Sequence, residues 1–347
     1  MKKHVHGGDV YRYEGCLDFS ANCNPLGTPD SVKEAVIQSL EGMSHYPLVG
    51  CGPLREAIGA YEGVKGSQVI CGNGAAELIF SLCRAMGPKR ALVAAPTFAE
   101  YELALDSVGC QTEHFYLREE EGFVLGEAFL EALSPGLDVV FLCNPNNPTG
   151  ILIPRELLRD ILEACARRGI FLVVDECFLD FVEDRERHTL SGELESRRNL
   201  FLLKAFTKRY AMAGIRLGYG LCGDPALLER MEAVNQPWNV SSMAQAAGLA
   251  ALKEEAYVER GRELVAAERA YLRENLRALG LRIYPSAANY VFFQGPENLF
   301  ERCVERGILL RDCSNYSGLR KGFCRAAVKR REENRRLIQV LERILKG

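Results

Sequence analysis

Between Gln68 and about Gly223 the chain alternates short apolar runs with longer amphipathic ones, and no other feature narrows its fold as much. Strands of a parallel sheet are buried on both faces and read as continuous Val/Ile/Leu runs, and successive parallel strands need a helical crossover between them. Ile170-Phe171-Leu172-Val173-Val174 is such a strand run, and Leu78 to Met86 is a helical one. The order predicts an α/β fold whose central sheet is mainly parallel, with helices on both faces. Past Gly223 the pattern changes. A long charged helical stretch, Glu254 to Leu279, precedes short strands at Arg282-Ile283-Tyr284 and Tyr290-Val291-Phe292-Phe293, and a helix from Glu332 to Leu345 closes the chain. This predicts a second, smaller α/β domain. A length of 347 residues with 48% hydrophobic content suffices for a large core in two domains.

Charge and cysteine usage exclude several function classes. The net charge is −3, and basic residues are spread among acids, which argues against a nucleic-acid partner. The one dense basic cluster, Lys329-Arg330-Arg331, reads as a solvated helix start. No apolar stretch approaches a membrane span, and Met1-Lys2-Lys3-His4 leads into polar residues rather than a signal-peptide core, so the expected location is the cytoplasm. The 13 cysteines, an odd number without paired metal-ligand spacing, fit buried thiols in a reducing compartment, and no metal site is expected.

Four segments carry chemistry. Phe206 to Tyr219, FTKRYAMAGIRLGY, sets Lys208 ahead of a small-residue turn and Arg216. A lysine amine can form an imine with an aldehyde, and a guanidinium eight positions later can clamp a phosphate through paired hydrogen bonds. A solvated lysine and arginine would satisfy the same spacing. The apolar run from Ile170 ends in Asp175, which puts a carboxylate at the carboxyl edge of a sheet. That is the partner a pyridinium nitrogen needs if its ring is to act as an electron sink, although a helix cap would look alike. Phe141 to Gly150, FLCNPNNPTG, is a strand followed by a turn, where Asn147 can donate to a phenolic oxygen and Asn147-Pro148 is a candidate for the cis isomer, although a simple tight turn would read the same. Cys71-Gly72-Asn73-Gly74-Ala75-Ala76-Glu77 precedes the helical run Leu78 to Met86, where free backbone N–H groups at a helix start can hold a phosphate.

These residues, taken together, resemble the pyridoxal 5'-phosphate enzymes of the aspartate-aminotransferase fold, fold type I. Within them they resemble the branch that holds histidinol-phosphate aminotransferases and threonine-phosphate decarboxylases, over essentially the whole chain. The resemblance implies Lys208 as the imine lysine, Asp175 on the ring nitrogen and Asn147 on the phenolic oxygen. It also implies Arg216 with the Gly74 and Ala75 amides on the cofactor phosphate. Tyr46, in HYPLVG, looks like the tyrosine that reaches the neighbouring subunit's cofactor, which implies a homodimer with active sites at the subunit interface. Either Phe98 or Tyr101, in PTFAEY, stacks on the ring face. The domains it implies are a large cofactor-binding one over 30–245 and a small one made of 1–29 with 246–347.

His6-Gly7-Gly8-Asp9 and the LDFSANCNPLG segment containing Asn24 resemble the openings of threonine-phosphate decarboxylases, which supply aminopropanol phosphate to cobalamin synthesis. Phe178 stands where histidinol-phosphate aminotransferases usually place a tyrosine. The QPWNV segment with Trp238 and the LRDCSNY segment with Arg311 point the same way, although a lone tryptophan is more often a core residue. Arg325 resembles the family's carboxylate-binding arginine, and Arg311 and His6 resemble anchors for a substrate phosphate. The implied substrate is a phosphoamino acid, with O-phospho-L-threonine first, phosphoserine still open, and aminotransfer to or from histidinol phosphate as the alternative reaction. One position departs from the family: Ala205 replaces the serine or threonine that binds phosphate three residues before the imine lysine. Thr207 and Lys204 flank it, and Lys204 or a water is the substitute to look for.

Overall fold

The computed structural model of the chain describes residues 6–346. Seven strands form the central sheet, in the order Val69–Gly72, Gly218–Cys222, Leu200–Ala205, Phe171–Asp175, Val139–Cys143, Arg90–Ala95, Gln111–Tyr116. Gly218–Cys222 alone runs antiparallel to its neighbours, so the sheet is mainly parallel, as its apolar runs predict. Side-chain alternation divides the core between two faces. Val139, Phe141 and Val173 pack with Leu78, Ile79 and Leu82 of the helix Ala75–Met86. Val140, Leu142, Leu172 and Val174 pack with Leu158 and Ile161 of the helix Arg155–Arg168 on the other face.

The second unit has a four-stranded antiparallel sheet, ordered Arg311–Asp312, Phe323–Ala327, Tyr290–Gln294, Arg282–Ile283. The helices Glu255–Ala278 and Arg331–Lys346 cover it, burying Val265, Leu272, Leu337 and Leu341 against Val291, Phe293 and Ala326. The amino-terminal segment joins this unit. Leu17–Asp18 pairs in parallel with Ile308–Leu309, and the Ala327 N–H donates to the Phe19 carbonyl at 2.8 Å. The helix Ser242–Ala251 packs on Asp30–Ser39.

All thirteen cysteines are free thiols, and all but Cys16 and Cys23 are buried. Among the described residues no group of His, Cys, Asp and Glu side chains could hold a metal. None of the described helices is long and apolar enough to cross a membrane.

Candidate active site

The carboxyl ends of Val139–Cys143, Phe171–Asp175 and Leu200–Ala205 meet the second unit around a cavity of about 370 Å³. Such edges collect ligands because the strands stop there while the loops that follow diverge. Of the residues singled out by sequence, Lys208, Asp175, Asn147, Ala75, Thr207, Arg216, Phe98, His6, Arg311 and Arg325 all line this cavity.

At one wall the chain leaves Val69–Gly72 and enters the helix Ala75–Met86 through Gly74, whose φ is +81°. The first-turn N–H groups of a helix have no partner within it, and Ala75 and Ala76 line the cavity here, whereas the Gly74 amide, expected on the phosphate, does not serve there because its N–H donates to the Gly72 carbonyl at 2.8 Å. A Cβ on Gly74 would lie 2.5 Å from Arg216 Nη2, so only glycine lets that guanidinium lie against the helix start. Arg216 is itself in a left-handed conformation, φ 60°, with Nη1 donating to the Ala213 carbonyl at 3.1 Å. Ala205 and Thr207 complete this wall. Lys204 does not compensate for Ala205. Successive strand residues point to opposite faces, and its Nζ lies behind the sheet edge, 3.0 Å from Glu62 Oε2 and 3.2 Å from Glu176 Oε2.

Deeper in the cavity Asp175 is 4% exposed. Burial pushes its carboxyl above the usual aspartate range, opposed by hydrogen bonds from Cys177 and Tyr101 and by the charge on Lys208. Oδ1 accepts from the Cys177 N–H at 2.9 Å and Oδ2 from the Tyr101 hydroxyl at 2.6 Å. Among the described residues no cation is ion-paired with it at contact distance. Asn147 precedes a cis proline. Its Oδ1 accepts from Arg325 Nη1 and, at 3.4 Å, from the Tyr316 hydroxyl. Lys208 projects from the four-residue helix Phe206–Arg209, with Nζ 5.8 Å from the centre of the Phe178 ring.

The substrate side is cationic. Arg311 and Arg325 are cross-strand partners, both buried. Arg325 Nη2 donates to the Ser20 carbonyl at 2.8 Å, and Arg311 Nη2 to Asn315 Oδ1 at 3.0 Å. His6 Nε2 lies 3.3 Å from Glu100 Oε1 at the mouth.

One side-chain placement, that of Asn24, differs from the sequence expectation, and two others decide between readings it left open. Phe98 faces the cavity, whereas Tyr101 is buried beneath it, stacked on Phe141 at 5.2 Å. Asn24 lies outside the cavity, because it is spent on the backbone below Lys208: its N–H donates to the Lys208 carbonyl and its Nδ2 to the Arg209 carbonyl, both at 2.9 Å. The asparagine of that segment that lines the cavity is Asn22, whose Oδ1, turned toward Arg325, accepts from the guanidinium at 3.2 Å. The motif that drew attention to Asn24 contains Asn22 too, but nothing local tells which one faces in. Tyr46 is 78% exposed and stacks on Trp238 at 4.5 Å, outside this chain's own cavity, so Trp238 is a surface residue rather than a core one.

Sequence reading missed a buried ionic cluster directly behind the site. Arg209, 2% exposed, lies with Nε 2.7 Å from Asp180 Oδ2, an ionic contact whose N–H is not aimed at the oxygen. Its Nη2 donates to the Tyr219 hydroxyl at 3.1 Å and sits 3.8 Å from Glu62 Oε1. Arg185 Nη1 is 2.8 Å from Asp180 Oδ1, and Lys204 joins Glu62 to Glu176. Burial raises the carboxyls of Glu62 and Asp180, but the surrounding cations outweigh it and hold both below their usual range. The cluster flanks the site through Glu176, Lys204 and Arg209, next to Asp175, Ala205 and Lys208 respectively.

A phosphate-binding wall of helix N–H groups and guanidinium, a lysine amine and a buried carboxylate without a cation are the donor set that pyridoxal phosphate requires, so the residues present fit that cofactor. The chain belongs to the aminotransferase class I and II family, whose model matches residues 14–341, a family of pyridoxal-phosphate-dependent enzymes. Among its relatives, a threonine-phosphate decarboxylase of Salmonella typhimurium is 38% identical over 99% of this chain and 97% of its own. A histidinol-phosphate aminotransferase of Desulfitobacterium hafniense is 35% identical over 95% of this chain and 92% of its own. Among solved structures, the histidinol-phosphate aminotransferase from Clostridium acetobutylicum superposes with a TM-score of 0.89 at 29% identity, covering 95% of this chain and 99% of that one.

Proposed function

We propose that this protein decarboxylates O-phospho-L-threonine to (R)-1-amino-2-propanol O-2-phosphate, the step that serves cobalamin biosynthesis. The observation that carries the reading is the cationic substrate side: beyond Arg216, two further buried arginines, Arg311 and Arg325, line one cavity. A substrate with both a carboxylate and a phosphate needs two such anchors, since buried anions require charge-assisted partners. The relative from Salmonella typhimurium supports it.

Pyridoxal phosphate, when bound, supplies an aldehyde for the substrate amine and a protonated ring that takes up the electron pair left as carbon dioxide departs. Arg216, Thr207 and the amides at Ala75 and Ala76 would hold its phosphate, Asp175 would serve its ring nitrogen and Asn147 its phenolic oxygen, and Phe98 would cover the ring. Arg325 with Asn22 would hold and orient the substrate carboxylate for loss as carbon dioxide. Arg311 and His6 hold the phosphate. Lys208 carries the proton to the substrate's α carbon once its amine is free. Phe178 brings no hydroxyl to this region, and with Phe98 it keeps the site dry.

The working form is a cytoplasmic homodimer. Ile37, Leu40, Met43, Tyr46, Leu48, Val49 and Trp238 are exposed apolar side chains of the kind a second copy covers, carrying Tyr46 toward the neighbouring site. The test is carbon dioxide release from a panel of phosphothreonine, phosphoserine and unphosphorylated threonine, run beside histidinol phosphate with 2-oxoglutarate. Phosphothreonine decarboxylation should dominate; preferential aminotransfer with histidinol phosphate would replace this reading by the aminotransferase one.

A further inference from the structure

Tyr101 stands out because it is fully buried, polar, and has no part in lining the cavity, yet its hydroxyl ends on the one carboxylate at the cavity floor. It sits on the helix Glu100–Asp106, 1% exposed. Its ring is stacked on Phe141, 5.2 Å between centroids and 19° between planes, and meets Phe98 edge-on at 5.7 Å. Those two contacts fix the direction of the hydroxyl. It donates to Asp175 Oδ2 at 2.6 Å, the short distance typical of a charge-assisted O–H···O⁻ bond. The Cys177 N–H occupies the other oxygen at 2.9 Å. Each carboxylate oxygen therefore has one fixed protein donor, which sets the plane of the group.

We infer that Tyr101 is a positioning residue for Asp175, whose hydroxyl holds the carboxylate ionised and aimed into the cavity. The inference rests on the cofactor reading above only for its consequence in turnover. An ionised carboxylate facing a protonated ring nitrogen and a neutral acid facing a neutral ring differ by the place of one proton. In a low-dielectric site, extra donors on the carboxylate favour the ionised pair. The other groups facing Asp175 are the Lys208 amine, the Cys143 and Cys177 thiols and the Tyr290 phenol. Burial drives both thiols and both phenols upward, so all four stay neutral at physiological pH. Lys208 is committed to the cofactor in the working enzyme, which leaves Tyr101 and the Cys177 N–H as the donors of constant charge. Phe98 and Tyr101 thus divide the work that one aromatic residue was expected to do, one at the ring face and one beneath the carboxylate.

The experiment uses Tyr101→Phe, which keeps the stacked ring and removes only the donor. In the full-length apoprotein, the protonated-carboxyl infrared band that disappears in Asp175→Asn is titrated against pH. Tyr101→Phe should move its midpoint upward by about one pH unit or more, the scale of one charge-assisted hydrogen bond. Fluorotyrosine at position 101, a stronger donor, should move it downward. In the cofactor-loaded enzyme Tyr101→Phe should lower kcat by roughly 10- to 100-fold with KM unchanged. An unmoved midpoint in both variants overturns the inference whatever the cofactor, as does a moved midpoint with parental kcat. Midpoints that move as stated in a protein that takes up no pyridoxal phosphate support the positioning role and overturn the cofactor reading instead.

Discussion

Replacing Arg209 with methionine tests whether the buried ionic cluster holds the corner that carries Lys208. The cluster sets three carboxylates, Glu62, Glu176 and Asp180, against three cations, Arg185, Lys204 and Arg209. Methionine fills most of the same volume but leaves one buried negative charge without compensation. Breaking a buried pair by removing one partner costs about 3–5 kcal/mol. The lower end applies here, because Asp180 keeps Arg185 at 2.8 Å and Glu62 keeps Lys204 at 3.0 Å. For a chain of this size about 3 kcal/mol corresponds to a fall of roughly 6 °C in thermal midpoint, at about 2 °C per kcal/mol. Calorimetry of the parent, Arg209→Met, Asp180→Asn and the double variant measures it. The double variant, which removes the stranded charge along with its partner, should recover about half of the loss. A fall below roughly 2 °C in Arg209→Met, or no recovery in the double variant, contradicts the ionic account.

The same cluster sets an acid limit. The carboxyls of Glu62 and Asp180 lie lower in the folded state than their usual values near 4. Their ionic contribution is therefore complete above that range and is lost as pH falls through the lowered folded values, so the gap in thermal midpoint between parent and Arg209→Met should narrow below about pH 4. Lys208→Ala should abolish the borohydride-fixed cofactor adduct that mass spectrometry finds on the parent; a fixed adduct on another lysine would reassign the residue. Arg311→Ala should lower kcat/KM toward phosphothreonine by roughly 30- to 1000-fold, the effect of losing a charge-assisted anchor of about 2–4 kcal/mol, and parental efficiency would remove Arg311 from the phosphate site.

Much of this molecule was legible along the chain because its signals are local. The continuous apolar runs named the parallel strands, and the strand from Phe171 ends on Asp175 as the run itself ends. The helix boundaries at Glu255–Ala278 and Arg331–Lys346 fall within one residue of those read from periodicity. The spacing of Lys208 and Arg216 belongs to one short segment, and Gly74 marks a place where backbone must pass close to a guanidinium. What a residue type and its near neighbours cannot specify is direction at a corner where strand becomes turn. Lys204 and Lys208 are four residues apart, yet one faces the cluster and the other the cavity, because the pairing of Leu200–Ala205 with strands on both sides sets the face. Asn22 rather than Asn24 lines the site because Asn24 is held by the backbone of Lys208 and Arg209, far away in sequence. Phe98 and Tyr101 read alike until Phe141 and Asp175 are brought alongside. The ionic cluster draws on positions from Glu62 to Tyr219, and its members show no local pattern at all. Periodicity and spacing decided which elements form and which chemistry they carry; only the packing of elements distant in sequence decided which side chain meets which, since burial and charge pairing act through space rather than along the chain.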